Sequence, residues 1–469
     1  MINNRYIGTD SGKTVAVMGL GVSGRSAVEF ALACGAKVIV SDKRSREQFG
    51  AQEQELLQRT GVAWEAGEHS FSFLGRADVV IVSPGIDLDD PLLKRLAEAG
   101  VRITGELELV AEHLKSPVVA ISGTNGKTTV TTLIGEVLAR SGRRVFVGGN
   151  IGTPLYDYCL EPDSYDIIVV ELSSFQLDLC GNFAPDVGVL LNISPDHLDR
   201  HRTFDRYISA KMNLFSGQQS DQVAIVNGDD PNCQHLDPDY KGRLQSFGTG
   251  RYNDLVVVGN RLVVAGTREY AIGDGDLKDG DTGFVGLNYG AAVLALEAMG
   301  CPRAQIQEGL LQFKSLQHRL EFVTESAGVK YYNDSKATNT GAVIGALAQL
   351  QGPVILIAGG RDKGENYRLL RQAVAQKVRR VILLGEAAEA IGQALADIVE
   401  TDRALDMVHA VELAAGAATG GDTVLLSPAC ASFDMFASYA QRGEVFKAAV
   451  MKLVQPGKGE HQNNGEVSV

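Results

Sequence analysis

Seven consecutive residues, Gly123-Thr-Asn-Gly-Lys-Thr-Thr129, have the types and spacing to hold a phosphate chain. Small, turn-tolerant residues at 123–126 allow a tight turn, and Lys127 adds a full positive charge where a helix begins. An apolar run at 118–121 reads as a buried strand, and Leu133, Ile134, Val137 and Leu138 continue the helix at helical spacing. Strand, glycine-rich turn and helix N-terminus together aim backbone N–H groups and the helix dipole at an anion, and the hydroxyl of Thr128 suits Mg²⁺. Gly123, Thr124, Asn125, Gly126, Lys127, Thr128 and Thr129 are therefore the expected nucleoside triphosphate site. The general phosphate-loop pattern wants a glycine where Ile121 stands, so this loop is shorter. An ordinary glycine-rich turn is the plain alternative, and the Lys-Thr-Thr run argues against it.

Other polar clusters follow apolar runs in the same way. The run 166–170 delivers Glu171, and a carboxylate directly after buried residues asks for a cation, here Mg²⁺. A glutamate favoured by the first turn of a helix is the alternative. The run 187–191 delivers His197, Asp199, Arg200 and His201. Their spacing is not that of a zinc-binding helix face, so they read as a polar rim. Lys211 lies on a helical stretch, 207–215, and by itself reads as a surface lysine. Asn288 opens a helix running to 299. Further on, Arg319, Lys336, Arg361 and Lys363 concentrate positive charge in a chain whose formal net charge is −13.

The elements that must position these groups alternate strand and helix. The first strand, 14–18, enters Gly19-Leu-Gly-Val-Ser-Gly24, a helix follows at 25–34, and the strand 37–40 ends at Ser41-Asp42. This is the glycine pattern of a dinucleotide-type turn with an acid roughly twenty residues on. Alone it is a weak signal, open to NAD, another nucleotide or tight packing. Strands at 79–82 and 101–103 continue the alternation, and Gly85 lies at the strand-end edge where open α/β sheets bind ligands. Short Val-rich runs within 240–280 read as antiparallel hairpins. Strands at 322–324, 329–332, 354–358, 381–384 and 424–426 make another α/β segment. The expected fold class is α/β in three domains. These are a Rossmann-like N-terminal domain (1–107), a central P-loop ATPase-like domain with a parallel sheet (108–315) and a Rossmann-like α/β C-terminal domain (316–455). A disordered tail (456–469) follows.

Length and composition agree with this. A chain of 469 residues is too long for a single core, and 45% hydrophobic with 22% charged residues is ordinary for a globular protein. The acidic balance argues against nucleic acid or an anionic membrane as a partner. The six cysteines form no C-x-x-C pair, so neither a zinc motif nor a disulfide framework is expected, and Cys430 reads as a small buried residue. Residues 1–12 carry Arg5 and Asp10 without an apolar core, which predicts no signal peptide. No apolar run is long enough to span a bilayer. A reducing cytoplasm is the expected compartment.

Taken together, Gly123–Thr129, Asn150-Ile-Gly152, Glu171-Leu-Ser-Ser-Phe-Gln-Leu177, Asp196-His-Leu-Asp-Arg-His201, His318-Arg319 and Asp334-Ser-Lys-Ala-Thr-Asn339 resemble the Mur ligases, ATP-dependent enzymes of peptidoglycan precursor synthesis. The resemblance covers nearly the whole chain. Within the family the D-glutamate-adding branch is the most similar, through Gly19–Gly24, 334–339, and Ser427-Pro-Ala-Cys-Ala-Ser432 with Gln441-Arg-Gly. The Asp-Asn-Pro-Arg signature of the diaminopimelate-adding relative is absent. A folylpolyglutamate synthase would lack the N-terminal segment.

The resemblance implies a ligase that phosphorylates the L-alanine carboxylate of UDP-N-acetylmuramoyl-L-alanine with ATP. The amine of D-glutamate then attacks the acyl phosphate. It implies ATP and Mg²⁺ as cofactors, no nucleic-acid or membrane partner, a monomer, and domain closure on binding. Lys127, Glu171, His197 and Lys211 would be catalytic. Thr128, Glu171, His197 and a carbamylated Lys211 would face Mg²⁺. Asn288, Arg319 and Asp334 would join the loop in holding ATP. Leu20, Gly21, Val22, Ser23, Asp42, Lys43, Arg44, Gly85 and Asn150 would bind the UDP substrate, with Asn150 at its diphosphate or sugar. Lys336, Thr338, Lys363, Ser432, Phe433 and Tyr439 would bind D-glutamate. One departure is Phe284-Val285, where the family usually has His-Asn. Other readings are a ligase for L-alanine or a dibasic amino acid, a regulatory P-loop ATPase, or an NAD-dependent dehydrogenase.

Overall fold

Short, uncharged runs of Val, Ile and Ala become the inner strands of three sheets because such residues fit a surface buried on both faces. The structure, a computed structural model, describes residues 12–273, 284–314, 316–350 and 352–454. The chain divides into two compact units: one runs to Ser194 and from Arg200 to Phe313, the other takes Pro195–Asp199 and everything from Lys314. The expected tail (456–469), the 274–280 end of the expected hairpins and the expected leaderless start fall outside the described residues, except Gly12.

The first unit holds two sheets. In the smaller, all-parallel sheet the strands lie side by side as Ala63–Ala66, Lys37–Asp42, Thr14–Met18, Val79–Val82 and Arg102–Thr104. The order reverses beside Thr14–Met18, the switch point at which such sheets leave a crevice for ligand. The glycine turn sits there. A Cβ on Gly24 would lie 1.9 Å from the Gly19 carbonyl oxygen, so only glycine lets the helix approach its strand so closely. That helix, Val22–Ala33, starts earlier than its apolar spacing indicated.

Among the described residues the larger sheet has nine strands. From one edge these are Arg268–Ala271, Arg261–Val264, Leu255–Val258, Arg243–Gly248, Val223–Asn227, Val187–Leu190, Val118–Ser122, Ile167–Glu171 and Val145–Gly149. Within 240–280 the Val-rich runs Leu255–Val258 and Arg261–Val264 pair antiparallel as expected, and the stretch before them does not. Arg243–Gly248 pairs parallel with Val223–Asn227, and Leu255–Val258 pairs parallel with Arg243–Gly248. Only the last three strands are antiparallel to one another. Lys211 is a correction as well, because it is 1% exposed and not a surface residue.

In the second unit the order is Glu321–Ser326, Val329–Asn333, Thr423–Leu426, Val354–Gly359, Val378–Leu384 and Glu400–Arg403. The first pair is antiparallel and the rest parallel. Its central strands separate two apolar layers, one around Val343, Leu356 and Leu370, the other around Ile357, Val411 and Phe446. All six cysteines are buried and free, Cys430 among them with its thiol 3.2 Å from the Tyr367 hydroxyl. Among the described residues no helix is long and apolar enough to cross a membrane.

Candidate active site

Strand Val118–Ser122, entirely buried, carries the loop to the N-terminus of helix Lys127–Arg140. Two backbone N–H groups are anchored from the next strand end: Thr124 donates to the Asn192 carbonyl and Asn125 to the Asn192 Oδ1, both at 2.8 Å. Gly126 turns with φ +87°, and a Cβ there would stand 2.4 Å from Asn288 Oδ1. The Asn288 side chain is therefore pressed against the loop. Its helix, Phe284–Ala298, begins before Asn288. Lys127 Nζ donates back to the carbonyls of Gly123 and Thr124, both at 2.9 Å. Thr129 lies half-buried on the helix's first turn.

Glu171, 2% exposed, ends the adjacent strand. Its Oε2 accepts the Thr128 hydroxyl at 2.7 Å and its Oε1 accepts Asn150 Nδ2 at 2.8 Å. A buried carboxylate beside a threonine hydroxyl on a glycine-rich loop is a hard-oxygen donor set that fits Mg²⁺. Among the described residues no group of three His, Cys, Asp or Glu could hold a metal. A two-group site completed by water and phosphate oxygens is the Mg²⁺ pattern. Asn150, expected at the diphosphate or sugar, has its amide on Glu171.

Helix Phe204–Met212 brings Lys211 to the same loop: its Nζ donates to the Gly123 carbonyl at 2.8 Å and lies 4.7 Å from the centre of the Tyr207 ring. His201 is buried as well, at 2.9 Å from the Ser174 hydroxyl and stacked on Phe175. It is a packed core histidine. Arg200 and Arg202 both pair with Asp87, at 3.0 and 2.8 Å.

At the smaller sheet's switch point, Leu20 N–H donates to Asp42 Oδ2 at 2.7 Å and Arg44 donates to both Asp42 oxygens. Burial alone would raise the Asp42 carboxyl, but the hydrogen bonds from Arg44 and Leu20 and the charge of Arg44 hold it below the usual carboxylate range. The Leu20 side chain is fully buried, and its carbonyl accepts Arg44 Nη2 at 3.1 Å, so both backbone groups of Leu20 are bonded within the turn. Gly21, Val22 and Ser23 open the helix, with Val22 exposed. Lys43 is exposed, 3.7 Å from Asp90, and Gly85 lies in an exposed turn.

In the second unit Asp334 is buried, accepting the Ser427 hydroxyl at 2.8 Å and the Leu320 N–H at 3.2 Å. Burial pushes its carboxyl up to about 7, against those bonds and the nearby charges of Arg319 and Arg442. Lys336 Nζ lies 3.9 Å from the centre of the Tyr439 ring, and Thr338 is half-buried. Lys363 Nζ donates to Asp196 Oδ1 at 3.3 Å, and Asn339 Nδ2 donates to Asp196 Oδ2 at 3.0 Å. His197 follows at φ +53°, its N–H on Asp196 Oδ1 at 2.9 Å. The expected metal-facing set is thus divided: Thr128, Glu171 and Lys211 belong to the first unit, His197 to the second. Ser432 is buried and Phe433 is 68% exposed. Arg361 pairs with Glu386 at 3.3 Å.

Several residues of these sites carry no role in the reading of the sequence. Arg442 is 1% exposed and donates to Ser335 Oγ, to the Ser335 carbonyl and to the carbonyls of Cys430 and Ala431. It ties the loop carrying Lys336 to the loop carrying Ser432. Burial lowers its guanidinium to about 10. Glu365 accepts from Thr340, and burial, with Asp196 adding to it, lifts its carboxyl to about 7. Asp196 and Asn339 stood inside quoted motifs, so their sequence signal was present. Arg442 stood in Gln441-Arg-Gly, which carried the family likeness but no role for the arginine, and Glu365 had no signal beyond its residue type.

Comparison with known proteins matches each part of the chain. The model of the Mur ligase MurD-like N-terminal domain fits residues 13–105, that of the Mur ligase middle domain 121–261, and that of the Mur ligase glutamate ligase domain 318–430. A UDP-N-acetylmuramoylalanine–D-glutamate ligase of Desulfotalea psychrophila is 51% identical over 97% of this chain and 99% of its own length. One of Syntrophotalea carbinolica is 42% identical over 94% and 98%. A solved pseudomurein peptide ligase type C from Methanothermus fervidus shares the fold, with TM-score 0.60 at 19% identity over 94% of this chain and all of the other. With domain models placed along the chain and relatives aligned nearly end to end, the chain belongs to the Mur ligase family.

Proposed function

We propose that this chain joins the amine of D-glutamate to the L-alanine carboxyl of UDP-N-acetylmuramoyl-L-alanine, using ATP, as a cytoplasmic step of peptidoglycan precursor synthesis. The observation that carries the reading is the loop Gly123–Thr129 bonded to Glu171 through Thr128, in a chain 51% identical to a relative of that name.

A carboxylate does not acylate an amine until it is activated, so the site must hold a phosphoryl donor and acceptor in line. Bound ATP and Mg²⁺ would supply the transferable phosphoryl group and neutralise its charge. Lys127 would exchange its two loop carbonyls for phosphate oxygens, a move its flexible stem permits. Thr128 and Glu171 would hold the metal, giving up the hydrogen bond between them. Asn288, beside Gly126, would contact the nucleotide, as would Arg319 and Asp334. Lys211, enclosed against the Gly123 carbonyl, would serve as a carbamate. Its N–H would still reach that carbonyl while the added carboxylate, with His197, faced a second metal ion. Leu20–Ser23, Asp42, Lys43, Arg44 and Gly85 would receive the UDP moiety, and Asn150 would steady Glu171 while reaching the same substrate. Lys336, Thr338, Lys363, Ser432, Phe433 and Tyr439 would recognise the two carboxylates of D-glutamate.

An acceptor panel tests this. With ATP, Mg²⁺ and UDP-N-acetylmuramoyl-L-alanine, phosphate release and amide product are expected with D-glutamate and not with L-alanine, L-lysine or diaminopimelate. Phosphate release without an acceptor would sink the reading in favour of a plain ATPase.

A further inference from the structure

Glu106 stands outside every motif assigned to the reaction, yet its carboxylate is enclosed within the first unit. It opens the short helix Glu106–Val110, directly after the last strand of the smaller sheet. Oε2 accepts Gln176 Nε2 at 3.1 Å and Oε1 accepts the Tyr156 N–H at 3.4 Å. With its donor end committed to Glu106, Gln176 turns its Oε1 toward Ser173, accepting the Ser173 N–H at 3.0 Å and hydroxyl at 2.9 Å. Gln176 N–H returns a bond to Ser173 Oγ at 3.3 Å. Ser173 is two residues beyond Glu171, which holds Thr128 and Asn150.

A side-chain amide has one donating and one accepting end, so the group facing its nitrogen decides which way it points. Burial lifts the Glu106 carboxyl to about 7, and its Oε2, accepting from Gln176, leaves the amide one orientation, the one that closes the Ser173–Gln176 turn. A simple helix cap would not need the group buried, where an ionised carboxylate costs free energy unless it is bonded.

We propose that Glu106 is a positioning residue for phosphoryl transfer: acting through Gln176, it holds the 171–177 turn so that Glu171 stays aimed at Thr128 and the metal. This rests on the ligase reading above. Glu106 touches no substrate.

The test is a pair of single variants and their swap. Glu106→Gln sets an amide nitrogen against either the Tyr156 N–H or Gln176, and Gln176→Glu opposes two carboxylates. The double variant Glu106→Gln/Gln176→Glu restores the 106–176 bond with donor and acceptor exchanged, while Tyr156 and Ser173 go on donating as before. Groups behind a metal ligand typically contribute tenfold or more. Each single variant is therefore expected to lower kcat about tenfold and raise the Mg²⁺ concentration for half-activation several-fold. Each should also shrink the rise in melting temperature caused by Mg²⁺ with ADP, while leaving KM for D-glutamate unchanged. The swap should recover kcat and Mg²⁺ dependence to within about threefold of wild type. Singles that lose only melting temperature, or a folded swap that recovers nothing, would overturn the proposal. A wild-type protein that makes no amide product would overturn the ligase reading, and the positioning role with it.

Discussion

At the scale of single residues, Asp334 is held where a carboxylate is costly. Burial lifts its carboxyl from an ordinary 3.8 to about 7, so the folded chain binds that proton more tightly than the unfolded one does. The stability so contributed is fully present below about pH 4 and is lost as pH rises through about 7. Asp334→Asn keeps the shape and removes the titration. Its melting temperature, compared with wild type, should improve steadily between pH 4 and pH 8. A difference that stays flat across that range would show that Asp334 does not titrate there. The magnitude is at most a few kcal/mol.

Lys211 carries the residue-scale test of mechanism. An ammonium this enclosed beside two metal ions would be repelled, whereas a carbamate would be attracted. Lys211→Ala should lose nearly all ligase activity and regain part of it in short carboxylic acids that can occupy the emptied space. Full activity in the plain variant would end the idea. The burial of Lys211 was not legible in the chain, because apolar spacing on a helix of nine residues does not say which neighbours close over the lysine. Glu171 was legible because it directly follows four buried strand residues, which fixes both its face and its depth.

At the scale of elements, strands buried on both faces were read nearly to the residue. Thr14–Met18, Val79–Val82 and Val118–Ser122 announce themselves as uninterrupted apolar runs between turn residues. Edge strands were missed. Ala63–Ala66 carries Trp64 and Glu65 on a half-buried edge, and Glu400–Arg403 reads Glu-Thr-Asp-Arg with no apolar residue at all. These form because an inner strand offers unpaired backbone groups, a tertiary cause with no local pattern. The same cause explains Arg243–Gly248. Its glycine-flanked, polar sequence suits a hairpin, but Val223–Asn227 supplies a parallel partner across all five of its residues. The site was legible where motif and strand end coincide, as at Gly123–Thr129 and Asp196. It was silent where a group acts by tying segments together, as Glu106 does outside every motif, and Gln441-Arg-Gly gave no hint that Arg442 ties two loops.

At the scale of the whole molecule, the chain passes between its two units more often than a linear domain order implies. Pro195–Asp199 lies in sequence inside the first unit but clusters with the second. The Asp196 carboxylate, 5% exposed, makes the chemical tie there, bonded to Asn339 and Lys363. Breaking a buried ion pair by removing one partner leaves the other charge unpaired, at about 3–5 kcal/mol. In a unit of this size that amounts to a fall of roughly 10 °C in its own transition. Each unit has its own sheets and core, so heat unfolding should depart from a single two-state transition, with a calorimetric enthalpy above the van't Hoff value. The single tryptophan, Trp64, lies in the first unit and packs edge-on to Phe49, so its fluorescence follows that unit alone. Asp196→Ala is therefore expected to lower the transition seen by calorimetry but not by tryptophan fluorescence, although its sequence neighbours on both sides belong to the tryptophan's unit. An equal shift in both signals would mean that the segment takes its stability from the first unit and that the division drawn through Ser194 and Arg200 is wrong.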